Sequence, residues 1–108
     1  MKGQQARKEI RPGVFRSLTY TDNLMLAIID FENGPWPEPE PPHSHPHEQA
    51  SYLAEGEVIF YCEGEPERRL KPGDTFAVAS GLKHRVKVLT AHARLVDSFT
   101  PVRTDFLP

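Results

Sequence analysis

Apolar and polar residues alternate along this chain in short runs, and turn residues bound the runs. His84 to Val88 shows the pattern most plainly, with His84, Val86 and Val88 on one parity and Arg85 and Lys87 on the other. That is the period of a half-buried strand, and it places His84 on the apolar side. Ala93 to Phe99 repeats it, with Leu95, Asp97 and Phe99 sharing a face. Val14 to Leu18, Val58 to Cys62, Arg68 to Leu70 and Thr75 to Val78 read as further short strands. Leu24 to Phe31 is apolar on both parities, as a fully covered strand or a buried helix would be. Its brevity and the Asn33-Gly34 turn after it favour the strand. His43 to Ala54 reads as one long strand, turned at Glu55-Gly56-Glu57. Strands this short, with turns this frequent, predict an all-β sandwich or barrel, and no segment shows a convincing helical period. Met1 to Arg11 is polar and basic. Residues 1–12 are expected to be a flexible lead-in, and 13–108 a single domain.

Composition narrows the function classes. A length of 108 residues suits one domain with one core, and 11 prolines with 7 glycines argue against long helices. Charged residues make up 26% and the net charge is -2, so no strong field recruits nucleic acid or an anionic membrane. Cys62 is the only cysteine, which rules out an internal disulfide and fits a reducing, cytoplasmic setting. The first residues contain no apolar signal segment, and no apolar run is long enough to cross a bilayer.

Two stretches carry unusual chemistry. Gly34 to Pro42 has five prolines in nine residues. This composition predicts an extended, polyproline-like path without ladder bonds. It is either a stiff arm that delivers the next residues, with Trp36 capping a mouth or a neighbour, or a solvated loop. The run His43-Ser44-His45-Pro46-His47-Glu48-Gln49 follows it. Imidazole is the commonest protein ligand for transition metals. In a strand His43, His45 and Gln49 point the same way; His47 shares their parity, but Pro46 leaves the phase beyond it open. Outside these stretches, Cys62 reads as a small packed residue and His92 as surface.

From His43 the spacing is H-x-H, three residues, Gln49, six residues, Gly56. This resembles the first signature motif of the cupin superfamily, with Gln where most members carry Glu. Gly73-Asp74-Thr75-Phe76-Ala77-Val78, leading to Ala79-Ser80-Gly81-Leu82-Lys83-His84, resembles the second. Ala79 and Val88 depart from that motif's usual Pro and Asn. The resemblance implies a small single-domain cupin, a double-stranded β-helix or jelly-roll barrel. Its divalent transition metal (Ni, Zn, Fe or Mn) would be held by His43, His45, Gln49 and His84. That ligand set is neutral, so a bound ion keeps its full charge and favours an anionic partner. The missing carboxylate speaks against the usual facial triad of non-haem iron oxygenases.

The tail from Asp97 to Leu107 narrows the resemblance to a group of small cupins. These are the pectin-degradation proteins that linearise 4,5-unsaturated uronates. The histidine run with its Gln, and Asp22-Asn23-Leu24-Met25, resemble the same group. That likeness implies that Asp97, Phe99 and Arg103 line an active site: Asp97 to move a proton, Phe99 to pack on a sugar ring, Arg103 to clamp the carboxylate of a small anionic sugar. It also implies a homodimer, paired through the doubly apolar Leu24 to Phe31. Two other classes stay open, a small metal-dependent dioxygenase and a non-catalytic sugar- or metabolite-binding barrel. For Asp97 the structural alternative is a buried ion pair with Arg103.

Overall fold

β-branched and aromatic residues at alternate positions, cut by glycine and proline turns, give a molecule built almost wholly of antiparallel strands. The structure is a computed structural model that describes residues 3–108. Nine strands follow in order: β1 Gly3–Arg11, β2 Val14–Tyr20, β3 Met25–Phe31, β4 Glu48–Glu55, β5 Val58–Cys62, β6 Arg68–Leu70, β7 Thr75–Val78, β8 His84–Val88 and β9 Ala93–Thr100. They form a six-stranded sheet in the order β1-β2-β3-β9-β4-β7 and a three-stranded sheet in the order β6-β5-β8.

The inward positions of both sheets make one core. Val14, Leu18, Met25, Phe31, Leu53 and Leu95 face it from the larger sheet, and Val58, Phe60, Leu70, Val86 and Val88 from the smaller. Phe60 stacks on Phe76 across the gap, with ring centroids 4.0 Å apart. Burying such a ring is worth about 2–3 kcal/mol. Cys62 is buried among these residues as a small apolar group, and burial raises its thiol pKa. At the turn after β4, Gly56 has φ 76, and a β-carbon there would collide with the His92 carbonyl oxygen. Only glycine fits that turn.

Four expectations change. Of the lead-in expected for residues 1–12, Met1 and Lys2 lie outside the described residues, and Gly3–Arg11 is a strand that pairs antiparallel with β2. Its GQQARKEIR sequence has no apolar period because nearly all of it is solvent-facing edge, held by backbone bonds. The long strand expected from His43 starts at Glu48, since Ser44 to His47 is irregular around Pro46. The Pro-rich segment does form ladder-like bonds, through the residues between its prolines. Trp36 N donates to Val88 O at 2.9 Å and Glu40 N to Val86 O at 3.0 Å, so the segment runs along β8. Trp36 packs edge-on against Phe31, 5.3 Å between centroids, and its indole N–H donates to Glu32 O at 3.2 Å. A short 3-10 turn, Thr104–Phe106, appears where no helix was expected.

Candidate metal centre

Backbone bonds bring the histidine run against β8. His43 and His84 form an isolated antiparallel bridge, with N–H···O bonds of 3.1 and 2.9 Å. Gly81 N donates to His45 O at 2.9 Å, tying the next imidazole to the turn before β8. Ring centroids are 4.3 Å apart for His43 and His84, and 4.9 Å for His45 and His84. Gln49 enters from β4, paired with Phe99 of β9 and Val78 of β7. The four residues singled out by spacing therefore lie together; His45, Gln49 and His84 are buried and His43 is exposed.

Their hydrogen bonds leave lone pairs facing one another. His84 Nδ1 lies 2.9 Å from the Leu82 carbonyl oxygen, so that nitrogen carries the proton. Its Nε2 is buried and has no partner. Burial pushes the His84 pKa down to about 4, so the ring is neutral. His45 touches two oxygens, His47 O from Nδ1 and Gln49 Oε1 from Nε2, each at 3.0 Å. A neutral imidazole has one proton to donate, so one contact sets acceptor against acceptor. Burial, reinforced by the Arg103 charge, lowers the His45 pKa and disfavours a second proton. Gln49 cannot turn freely, because its amide N–H donates to Ser51 Oγ at 3.0 Å. A cation resolves the conflict. Two donors bound cis to one ion at ~2.1 Å lie about 3 Å apart, which matches the Nε2 to Oε1 separation. Imidazoles with one amide oxygen suit a divalent transition ion.

The same bonds run on to a carboxyl group. Ser51 Oγ donates to Asp97 Oδ1 at 2.6 Å. Asp97 is buried, and burial raises its pKa to about 6, against the lowering effect of the Ser51 hydrogen bond. It does not form the ion pair with Arg103 that was its structural alternative, because Arg103 is held by Asp105 through bonds of 3.0 and 2.7 Å. Asp97, Phe99, Gln49, His43 and His84 all border a cavity of about 420 Å³ between the sheets. Phe99 stands edge-on to His45, 5.6 Å between centroids.

Residues 35–99 match the Cupin domain family. The chain belongs to the cupin family. Among its relatives, the cupin is 35% identical to "Pectin degradation protein KdgF" of Dickeya dadantii (strain 3937), over 93% of this chain and 89% of that protein. The structure of KdgF from Halomonas sp. superposes with a TM-score of 0.84 at 31% identity, covering 95% of this chain and 94% of that one. An RmlC-like cupin from Shewanella frigidimarina gives the same TM-score and identity, over 94% and 88% of the two chains.

Several site residues of this cupin escaped the sequence reading. Ser51 links Gln49, one of the candidate metal donors, to Asp97. His47 was not missed in the same way: a residue beside a ligand imidazole is expected to hold that ring, and His47 does so for His45, through its backbone carbonyl rather than its side chain. Glu40, inside the Pro-rich segment, takes the Val86 amide and Arg11. Arg16 and Phe106 border the cavity, and Arg16 lies on the apolar parity of β2 between Val14 and Leu18. A second acid–imidazole group, Asp30, Glu55 and His92, has ligand atoms within 4.8 Å of one another. Its space is taken: Arg94 reaches Asp30 at 2.8 Å and Glu55 at 3.1 Å, and Arg7 reaches Asp30 at 3.4 Å. It is an ion-pair network, and His92, expected as plain surface, belongs to it.

Proposed function

We propose that this cupin, like the pectin-degradation protein it resembles, acts on the uronates of pectin or alginate breakdown. The reaction is conversion of a cyclic 4,5-unsaturated monouronate to its linear keto acid. The observation that carries this reading is the buried chain Asp97–Ser51–Gln49–His45, which joins a carboxyl group with a raised pKa to a converging set of neutral metal donors. His43, His45, Gln49 and His84 would hold one divalent ion (Ni, Zn, Fe or Mn), which supplies Lewis-acid polarisation of the sugar oxygens. Asp97, as carboxylate, takes the proton of the anomeric hydroxyl. The O–H electron pair becomes the new carbonyl, and the ring bond breaks toward the ring oxygen. The resulting enolate takes the proton back at the enol carbon and becomes the ketone. Nothing else is consumed, so the net change is an isomerisation. Phe99 packs on the ring and excludes water, and Arg103 borders the same space. A cytoplasmic setting and a homodimer belong to this reading. Leu26 and Tyr52 leave an apolar, uncharged patch exposed on the outer sheet face, which supports pairing of two copies.

Loss of the unsaturated uronate's ultraviolet absorbance tests the reaction. Wild type should beat spontaneous decay. Asp97→Asn should retain its metal and lose about two to four orders of magnitude in rate, as for general acid–base catalysis. A His45→Ala, His84→Ala double variant should lose the metal by elemental analysis. Wild-type turnover no faster than spontaneous decay sinks the reaction, and unchanged metal content in the double variant sinks the ligand set.

A further inference from the structure

Four arginines border the cavity, and one of them, Arg85, lies over the Tyr61 ring, 5.4 Å from its centre. Arg11 is paired with Glu40 at 2.7 Å, and Arg103 is closed in by both oxygens of Asp105. Arg16 is different. It is 8% exposed, its Nε is buried with no partner, and its Nη2 reaches only the Phe106 carbonyl oxygen at 3.3 Å. Among the described residues no carboxylate forms an ion pair with it. Its guanidinium carbon lies 3.9 Å from the centre of the Phe106 ring, and that of Arg103 lies 4.2 Å from the same ring. Phe106 therefore holds two cations beside one cavity; Asp105 pairs directly with Arg103 and acts on Arg16 only from a longer range.

A buried guanidinium without a direct ion pair is costly to keep. The fold gains nothing obvious from it, since its neighbours on that face of β2 are Val14 and Leu18. What it lacks is an anion in direct contact, and its planar fork matches a carboxylate. Its place in the sheet is equally telling. Arg16 pairs with Ile29 of β3, and Ile29 pairs with Leu95 of β9, two residues from Asp97 on the same face. Two strand spacings, about 10 Å, thus separate the cation row from the strand of Asp97. Gln49 lies one strand further on. That order seats a charged end, a ring and metal-facing oxygens in succession across the sheet.

We propose that Arg16 holds the substrate's carboxylate and makes the cavity selective for sugar acids over neutral sugars. The identity of the anion rests on the uronate reading above; the anion site itself is measured separately. Arg103, its own charge taken by Asp105, positions Phe106 and Phe99 rather than acting as the principal clamp.

The experiment is calorimetric binding of D-galacturonate and D-galactose, which differ by one carboxylate, to metal-loaded protein. Wild type should prefer the acid. Arg16→Met should weaken galacturonate by at least ~30-fold, as expected for loss of a buried charge pair, and leave galactose unchanged. Arg16→Lys, which keeps the charge without the fork, should recover part of the preference. In turnover of the unsaturated uronate, Arg16→Met should raise KM far more than it lowers kcat. The proposal is overturned if wild type binds the acid no better than the neutral sugar, or if Arg16→Met keeps the preference. Absent turnover with an intact, Arg16-dependent preference would overturn the reaction and leave the anion site standing.

Discussion

Asp97 is where a single residue's environment sets a measurable property. Its folded-state pKa, about 6, lies above that of an unfolded aspartate because burial penalises the charge. The folded chain therefore binds the proton more tightly. Stability from this group is full below the unfolded pKa near 4 and is lost as pH rises through 6. The loss approaches about 3 kcal/mol at neutral pH. Asp97→Asn should escape it: in urea melts of metal-free protein its advantage over wild type should grow between pH 4.5 and 7.5. A constant difference would mean that Asp97 does not titrate there. For the proposed uronate reaction, kcat/KM should fall as pH drops through about 6, because a protonated Asp97 cannot accept the anomeric proton. At this scale the sequence was partly readable. The parity of Leu95, Asp97 and Phe99 places Asp97 inside, and the spacing of His43, His45, Gln49 and His84 singles out four residues that the fold brings together. Ser51 gave no such signal, because its importance comes from a cross-strand contact with Asp97. Arg16 did give one, a cation on the apolar parity of a strand, and it passed unread.

Among the elements, those with an inner and an outer face were legible and those without were not. β8 and β9 bury every second residue, so alternation found them. β1 is exposed at most positions, so hydrophobic period could not reveal it. The Pro-rich segment was misleading for a related reason: its prolines lack donors, but Trp36, Glu40 and His43 lie between them and carry the bonds to β8. The segment should consequently unfold with the barrel. Trp36 is the only tryptophan, so its fluorescence reports on this segment alone. Its urea transition should coincide with the loss of far-ultraviolet circular dichroism. An earlier fluorescence transition would show a loosely attached loop. Trp36→Ala should cost about 2 kcal/mol, less than a fully buried ring because the side chain is only half-buried.

For the molecule as a whole, the unfinished surface is the outer face of the larger sheet. Leu26 is 41% and Tyr52 46% exposed, and Ala50, Ala77, Val96 and Ser98 extend the same face without a charge. Light scattering at micromolar concentration should give the mass of two chains, and Tyr52→Glu should give one; a wild-type monomer would refute the pairing. No described helix is long and apolar enough to span a membrane. β9 takes part in both undertakings, because Leu95, Asp97 and Phe99 look into the cavity while Val96 and Ser98 look out onto that face. The proposed chemistry and the proposed pairing are thus interleaved at the pitch of one residue. Losing or gaining a single residue within β9 would exchange the two sets, evicting Asp97 to solvent and drawing Val96 and Ser98 inward. Change in this strand is therefore open to substitution and closed to insertion or deletion, and neither property can be re-spaced without remaking the other.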